Sequence, residues 1–224
     1  MGGIFIVIDG TDGSGKATQT RLLVERLGQG KIPFATISFP QYQNLSSGPT
    51  REYLSGKYGR NPNDVSPYQG SILYAVDRFD ASFQIRSWLE ENRVVVADRY
   101  VSSNMGHQGS KISDPEERRK FFEWNDHLEY GIFNLPKPDL NIILHVPADI
   151  SLTLAKGSSA SKGGVVGDIH EHNEKHLRAA EKSYLEIVET FPGFNLIECA
   201  DEQGILASTE TIHKKIWSLI SPLV

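Results

Sequence analysis

Residues 4–20 read IFIVIDGTDGSGKATQT. Ile4, Phe5, Ile6, Val7 and Ile8 form a short apolar run rich in β-branched residues, and such a run predicts a buried strand. It stops at Asp9. Gly10, Gly15 and Lys16 then satisfy the spacing G-x-x-x-x-G-K, and the chain continues in helical pattern from Ala17 to about Gln29. Strand, glycine-rich turn and helix in that order are the setting of a phosphate-binding P-loop. Gly10, Gly13 and Gly15 let backbone N–H groups approach phosphate oxygens, and the helix start adds unpaired N–H groups and the positive end of its dipole. Lys16 adds a full charge near the β- and γ-phosphates. Thr11, Asp12 and Ser14 complete the loop, and Ala17 and Thr18 open the helix.

Ala17 departs from the motif. The residue after the lysine is usually Ser or Thr, whose hydroxyl holds Mg²⁺. Thr18 comes one place later and points about 100° away on a helix, so it does not substitute. Metal binding is expected to lean on carboxylates, water and nucleotide phosphates.

Beyond this loop, 224 residues at 39% hydrophobic are enough for a single domain spanning 1–224 with an ample core. A net charge of −5 argues against a general nucleic-acid surface, so any anion site must be local. Cys199 is the only cysteine, which excludes an internal disulfide and fits a reducing compartment. With neither a signal peptide nor an 18-residue apolar span, no membrane partner is expected, and the cytoplasm is the expected location.

Strands are predicted at 34–39, 94–97, 141–146 and 194–198. Helices are predicted at 51–55, 66–92, 114–130, 148–156, 171–191 and 205–219. Gly157–Gly167, GSSASKGGVVG, reads as a mobile loop. The alternation predicts an α/β fold with a mainly parallel sheet, and ligands beyond the carboxyl ends of its strands. Val94–Tyr100, VVVADRY, is an apolar strand ending in Asp98, whose carboxylate can hold Mg²⁺ directly or through water. Arg99 follows and would face the same crevice as a phosphate ligand. His170, His172 and His176 lie close together. Because Asn173 occupies the place a zinc protease gives to Glu, they read as a solvated helix face.

Four stretches together resemble the thymidylate kinase family: DGSGKATQ at 12–19, FPQY at 39–42, YAVDR at 74–78 and DRYVSSNMGHQG at 98–109. The likeness runs from Ile4 to about Leu219. It implies a P-loop kinase fold, with a five-stranded parallel sheet, helices on both faces and a lid at about 156–170. The implied reaction transfers the γ-phosphoryl of ATP to dTMP with Mg²⁺, and a homodimer is common. By the same resemblance, Lys16 and the loop hold ATP, and Asp12 reaches the dTMP sugar or orders its arginine. Arg99 clamps the dTMP phosphate, Arg78 meets the thymine edge and Tyr74 stacks on the base. A spacing of four puts Tyr74 and Arg78 on one helix face. Ser103, Asn104 and Gln108 line the nucleoside pocket, and Phe39, Pro40, Tyr42 and Arg51 border it.

The resemblance also exposes departures. Ser38 and Gln41 flank Phe39–Pro40 where members often carry an arginine. His107 stands where they carry Tyr or Phe against the 2′ carbon of the sugar. Neither the P-loop nor the lid has an arginine, so Lys156 or Lys162 is expected to supply the cation for the transition state. Two alternatives stay open: the same chemistry on another pyrimidine monophosphate such as dUMP, and a catalytically silent nucleotide-binding module. A guanine-specific N-K-x-D motif does not occur.

Overall fold

A computed structural model describes residues 2–59, 61–151 and 174–224. In chain order its elements are β1 (Ile4–Gly10), α1 (Lys16–Gln29), β2 (Phe34–Ser38), α2 (Gly48–Leu54), α3 (Pro67–Glu90), β3 (Val94–Asp98), α4 (Val101–Gly109), α5 (Pro115–Asp126), β4 (Leu140–His145), α6 (Glu174–Thr190), β5 (Phe194–Glu198) and α7 (Thr209–Ile220). The strands form one parallel sheet in the order β2-β3-β1-β4-β5. Its register sets Ile8 beside Asp98 and Gly10 beside Leu144. The ends of β1 and β3 therefore open side by side, and the loops after them share one crevice.

Successive side chains of a strand point to opposite faces, so a sheet covered on both sides needs apolar residues at every position. On one face Phe5, Val7, Val95 and Ala97 pack with Ile85 of α3, Met105 of α4, Phe121 and Phe122 of α5 and Tyr184 of α6. On the other, Ile6, Ile8, Val94 and Val96 pack with Leu23 and Leu27 of α1 and Ile212, Ile216 and Ile220 of α7. Full burial of each such side chain is worth about 1.5–3 kcal/mol, which is why the runs carry no polar alternation. The α/β class and the five-stranded parallel sheet match the sequence reading.

Helix starts follow their caps. Ser66 accepts from the Gln69 amide while Gln69 reaches back, with Pro67 in the first turn. Asp114 caps α5 and Ser208 caps α7. The last cap explains one difference. Helix is predicted from Ile205, but Leu206 first forms a bridge to Ala200, and α7 starts only after Ser208. The predicted 114–130 helix also changes form: α5 stops at Asp126 and a π-turn, His127–Ile132, continues it. The sequence reading did not foresee α4. It holds two glycines and buried Asn104 and Gln108, so it lacks an apolar period. Its Gly106 is required by close packing, because a Cβ there would lie 2.7 Å from the Tyr184 ring. Among the described residues no helix is long and apolar enough to cross a membrane.

Candidate active site

The P-loop starts where β1 runs out. Gly10 has φ 137, and a Cβ there would meet the Leu144 carbonyl at 2.3 Å, so only glycine fits between β1 and β4. Gly15 caps α1 with φ 88. Lys16 is buried and folds back on the loop, its Nζ donating to the carbonyls of Gly10 at 3.0 Å and Thr11 at 2.7 Å. Burial, with help from the Arg99 charge, pushes its pKa down to about 8. An ammonium held by neutral carbonyls is poised to accept a phosphate anion as partner. The side chains of Thr11 and Ser14 carry buried hydroxyl oxygens without hydrogen-bond partners, whereas Ala17 and Thr18 are exposed.

Arg99 takes a left-handed backbone, φ 69, at the turn from β3 to α4. Its amide still donates to the Ile8 carbonyl at 3.0 Å. A non-glycine residue held this way costs about 1–3 kcal/mol, and such residues cluster at functional sites. The turn aims Arg99 across the crevice. Its guanidinium pairs with Asp12 and donates to Ser103 Oγ at 3.5 Å, and Nη1 lies 3.1 Å from His107 Nε2. Asp12 also lies 3.9 Å from Lys16 Nζ. Burial raises the Asp12 pKa, but Arg99 and Lys16 outweigh it and hold the carboxyl well below the usual carboxylate range. Lys16, Asp12, Arg99, Ser103 and His107, assigned from two separate stretches, thus meet in one cluster.

The remaining assigned residues build a second pocket between α3 and α4. Arg78 is buried and bound in a fork by Glu129, with Nη2 donating to Oε1 at 2.7 Å and Nε donating to Oε2. Asn104 donates to the same carboxylate at 2.8 Å and to Asn125 at 3.0 Å. Asn104 Oδ1, both amide atoms of Gln108 and Ser71 Oγ are buried without hydrogen-bond partners. Such atoms cost free energy unless a ligand satisfies them, and four together suit the polar edge of a flat heterocycle. Tyr74 is half-buried and meets Tyr53 edge to face at 6.2 Å. Phe39 is buried against Tyr100, and its bond to Pro40 is cis. Arg51 donates to the Tyr42 carbonyl at 2.9 Å, which ties α2 to the FPQY turn.

Asp9, Asp77, Glu129 and His176, four residues with no assigned role, shape these pockets. Asp9 is fully buried and accepts from Ser102 at 2.6 Å, Ser103 at 2.7 Å and Tyr184 at 2.9 Å, joining β1 to α4 and α6. Its signal was present, since it ends an apolar strand as Asp98 does. Asp77 takes the Gln41 amide at 2.8 Å and Ser46 Oγ at 2.7 Å, so Gln41 anchors the FPQY turn. Glu129 sits on the π-turn, where no local pattern marks it. His176 requires a correction. It is no solvated face but a buried residue of α6, stacked on His107 with ring centroids 5.6 Å apart, and Tyr184 of the same helix lies edge-on to His107. His170, His172, Lys156, Lys162 and the whole of the expected lid lie outside the described residues.

Asp98 fits a metal. Its Oδ1 is buried without a hydrogen-bond partner, and burial raises the pKa of the group against the pull of Lys16 and Arg99. An acceptor-only oxygen so placed suits a hard cation such as Mg²⁺. Among the described residues no group of three or more His, Cys, Asp or Glu could hold a metal unaided, so phosphates and water would complete its shell.

The model of the thymidylate kinase family matches residues 8–212. The chain belongs to the thymidylate kinase family. It is 29% identical over 209 residues to the thymidylate kinase of Mycobacterium tuberculosis, covering 92% of this chain and 96% of that one. It is 30% identical over 183 residues to a probable thymidylate kinase of Pyrobaculum aerophilum, covering 80% and 85%. The solved structure of thymidylate kinase from Candida albicans superposes with a TM-score of 0.74 at 20% identity, over 99% of this chain and 92% of that one, and so shares its fold. Family membership makes the chain a nucleoside monophosphate kinase, and phosphorylation of dTMP is the activity it carries.

Proposed function

We propose that this single-domain chain transfers the γ-phosphoryl group of ATP to dTMP with Mg²⁺, through the cluster Lys16–Asp12–Arg99 at the ends of β1 and β3. The observation that supports it most is that cluster itself: a buried lysine, a half-buried arginine and one carboxylate between a P-loop and a pocket of unsatisfied amides. The loop amides and Lys16 bind the β- and γ-phosphates. Arg99 binds the acceptor phosphate, and Asp12 holds Arg99. Tyr74 covers the face of thymine, Asn104, Gln108 and the Glu129-bound Arg78 meet its edge, and His107 lies against the sugar. An acceptor oxygen attacks the γ-phosphorus as the bond to the β-phosphate oxygen breaks, releasing ADP. The acceptor is already an anion, so no general base is needed. Mg²⁺, when bound by Asp98 with phosphates and water, supplies charge neutralisation. Lys156 and Lys162 are the cations that the sequence offers for the moving group.

We also propose a homodimer built on α3. Ile72, Val76, Phe79 and Phe83 stand exposed at four-three-four spacing, and Phe79 touches Phe133 beside exposed Ile132. Such a stripe on a helix otherwise folded against the core suits a second copy of itself. The nucleotide substrates and buried Cys199 suit the cytoplasm.

A coupled assay for ADP release, with dTMP, dUMP and other monophosphates, tests the reaction. dTMP is expected to give the highest kcat/KM. Greater turnover with another monophosphate would move the acceptor assignment, and ATP binding without turnover of any would overturn the reading.

A further inference from the structure

Among the described residues, Arg99, His107, His176 and Ser110 form a line of hydrogen bonds whose donors and acceptors agree in one direction. A guanidinium donates and never accepts. Its Nη1 lies 3.1 Å from His107 Nε2, so that nitrogen accepts, and neutral His107 carries its proton on Nδ1. Nδ1 faces His176 Nε2 at 3.4 Å, so His176 accepts there and carries its own proton on Nδ1. That N–H faces Ser110 Oγ at 3.4 Å, and the Ser110 hydroxyl donates in turn to the His107 carbonyl at 2.7 Å. The other tautomer at either ring would set N–H against N–H. The contacts at 3.4 Å are long, so the line orients more than it binds. Burial pushes His176 down to about 4, with Asp12 and Lys111 the charged groups acting on it, so the acceptor nitrogen stays free of a proton at neutral pH.

We propose that His176 is a positioning residue for the acceptor site: through His107 it fixes the Arg99 guanidinium in register for the acceptor monophosphate. The inference rests on the reading of Arg99 as the phosphate ligand. It gives the two histidines a joint role, since an acceptor at position 107 is useful only if a second acceptor stands behind it.

Long-range ¹H–¹⁵N spectra of the whole protein read the tautomers directly, without substrate. Nδ1–H at both His107 and His176 is expected at pH 7.5, and Nε2–H at His107 would overturn the inference. Kinetics supply the second measurement. His176→Phe keeps the stacked ring but removes the acceptor. The loss of one neutral hydrogen bond corresponds to roughly 3- to 10-fold in KM for dTMP, with KM for ATP unmoved. His176→Gln, which offers an amide oxygen near the place of Nε2, is expected to recover within about 2-fold. Equal rises in both KM values, or no recovery with Gln, would mark a purely structural histidine and overturn the proposal. In an Arg99→Ala background His176→Phe should add nothing, because the coupling runs through Arg99. If Arg99→Ala leaves KM for dTMP unchanged, the phosphate-ligand reading of Arg99 itself fails, whichever tautomers the spectra show.

Discussion

The P-loop and the pocket between α3 and α4 bind opposite ends of the same reaction, yet they are built in opposite ways. The P-loop is local: seven consecutive residues, Gly10–Lys16, supply its backbone, and its lysine rests on carbonyls five and six residues away. The acceptor pocket is assembled over distance. Arg78 of α3 is held by Glu129 of the π-turn, 51 residues on, and Asn104 of α4 donates both to Glu129 and to the Ser71 carbonyl of α3. Its rigidity comes from buried charge and amide pairs. Substitution in the loop should therefore cost catalysis and spare the fold, whereas substitution in the pocket should cost both.

Arg78→Ala puts the sharpest strain on that contrast. It leaves the fully buried Glu129 carboxylate without its guanidinium, and breaking a buried pair from one side costs about 3–5 kcal/mol. For a domain of this size that is a fall in Tm on the order of 10 °C, which calorimetry would register. A variant as stable as the parent would show that Glu129 does not depend on Arg78. Lys16→Ala is the counterpart. Loss of a cation from the phosphate site should cut kcat by about 10²–10³-fold, with Tm within about 2 °C, because the buried ammonium is already held below its ordinary pKa. A large fall in Tm would place Lys16 among the structural residues.

His176 belongs to the pocket by this criterion, and pH should reveal it. Its folded pKa of about 4 lies below the ordinary 6.5, so the unfolded chain takes up the proton first. Its neutral form stabilises fully above pH 6.5, and that contribution is lost as pH falls from 6.5 towards 4. The loss is roughly 3 kcal/mol at 1.36 kcal/mol per pH unit. Urea unfolding of the parent and of His176→Phe across this window isolates the effect, since other groups cancel in the difference. Parallel stability curves would contradict burial of a neutral ring. The smallest effect concerns His107. A tyrosine there would crowd a 2′-hydroxyl that imidazole can accommodate and hydrogen-bond. His107→Tyr should raise the preference for dTMP over its ribonucleotide about 3- to 10-fold in kcat/KM. An unmoved ratio would remove position 107 from sugar discrimination.

The same contrast explains what could be read beforehand. Strand, loop and helix at 4–29 were plain in the sequence because glycine spacing and apolar runs are local signals. The buried strands told equally plainly of a sheet covered on both faces. Arg99 and Asp98 were visible as the end of such a strand, and the resemblance supplied Tyr74, Arg78 and Asn104. Glu129, Asp77 and His176 were not legible as partners, because each matters only through a residue dozens of positions away. His176 misled further, since one histidine in a polar run looks solvated until His107 stacks on it. The helix at 101–109 escaped because Ser102, Asn104, Gln108 and two glycines share its buried side with only Val101 and Met105, which leaves no apolar period to read.

Position 99 sets conformational preference against chemistry. Its left-handed backbone is comfortable for glycine or asparagine and uncomfortable for arginine. A library selected for survival of heat alone should drift at this position towards Gly or Asn, and the winners should be stable and inactive. Selection for turnover should return Arg against that gradient. The two selections would diverge at a site that neither alone would flag, and the gap between them would measure what the molecule gives up in durability to hold a phosphate ligand there.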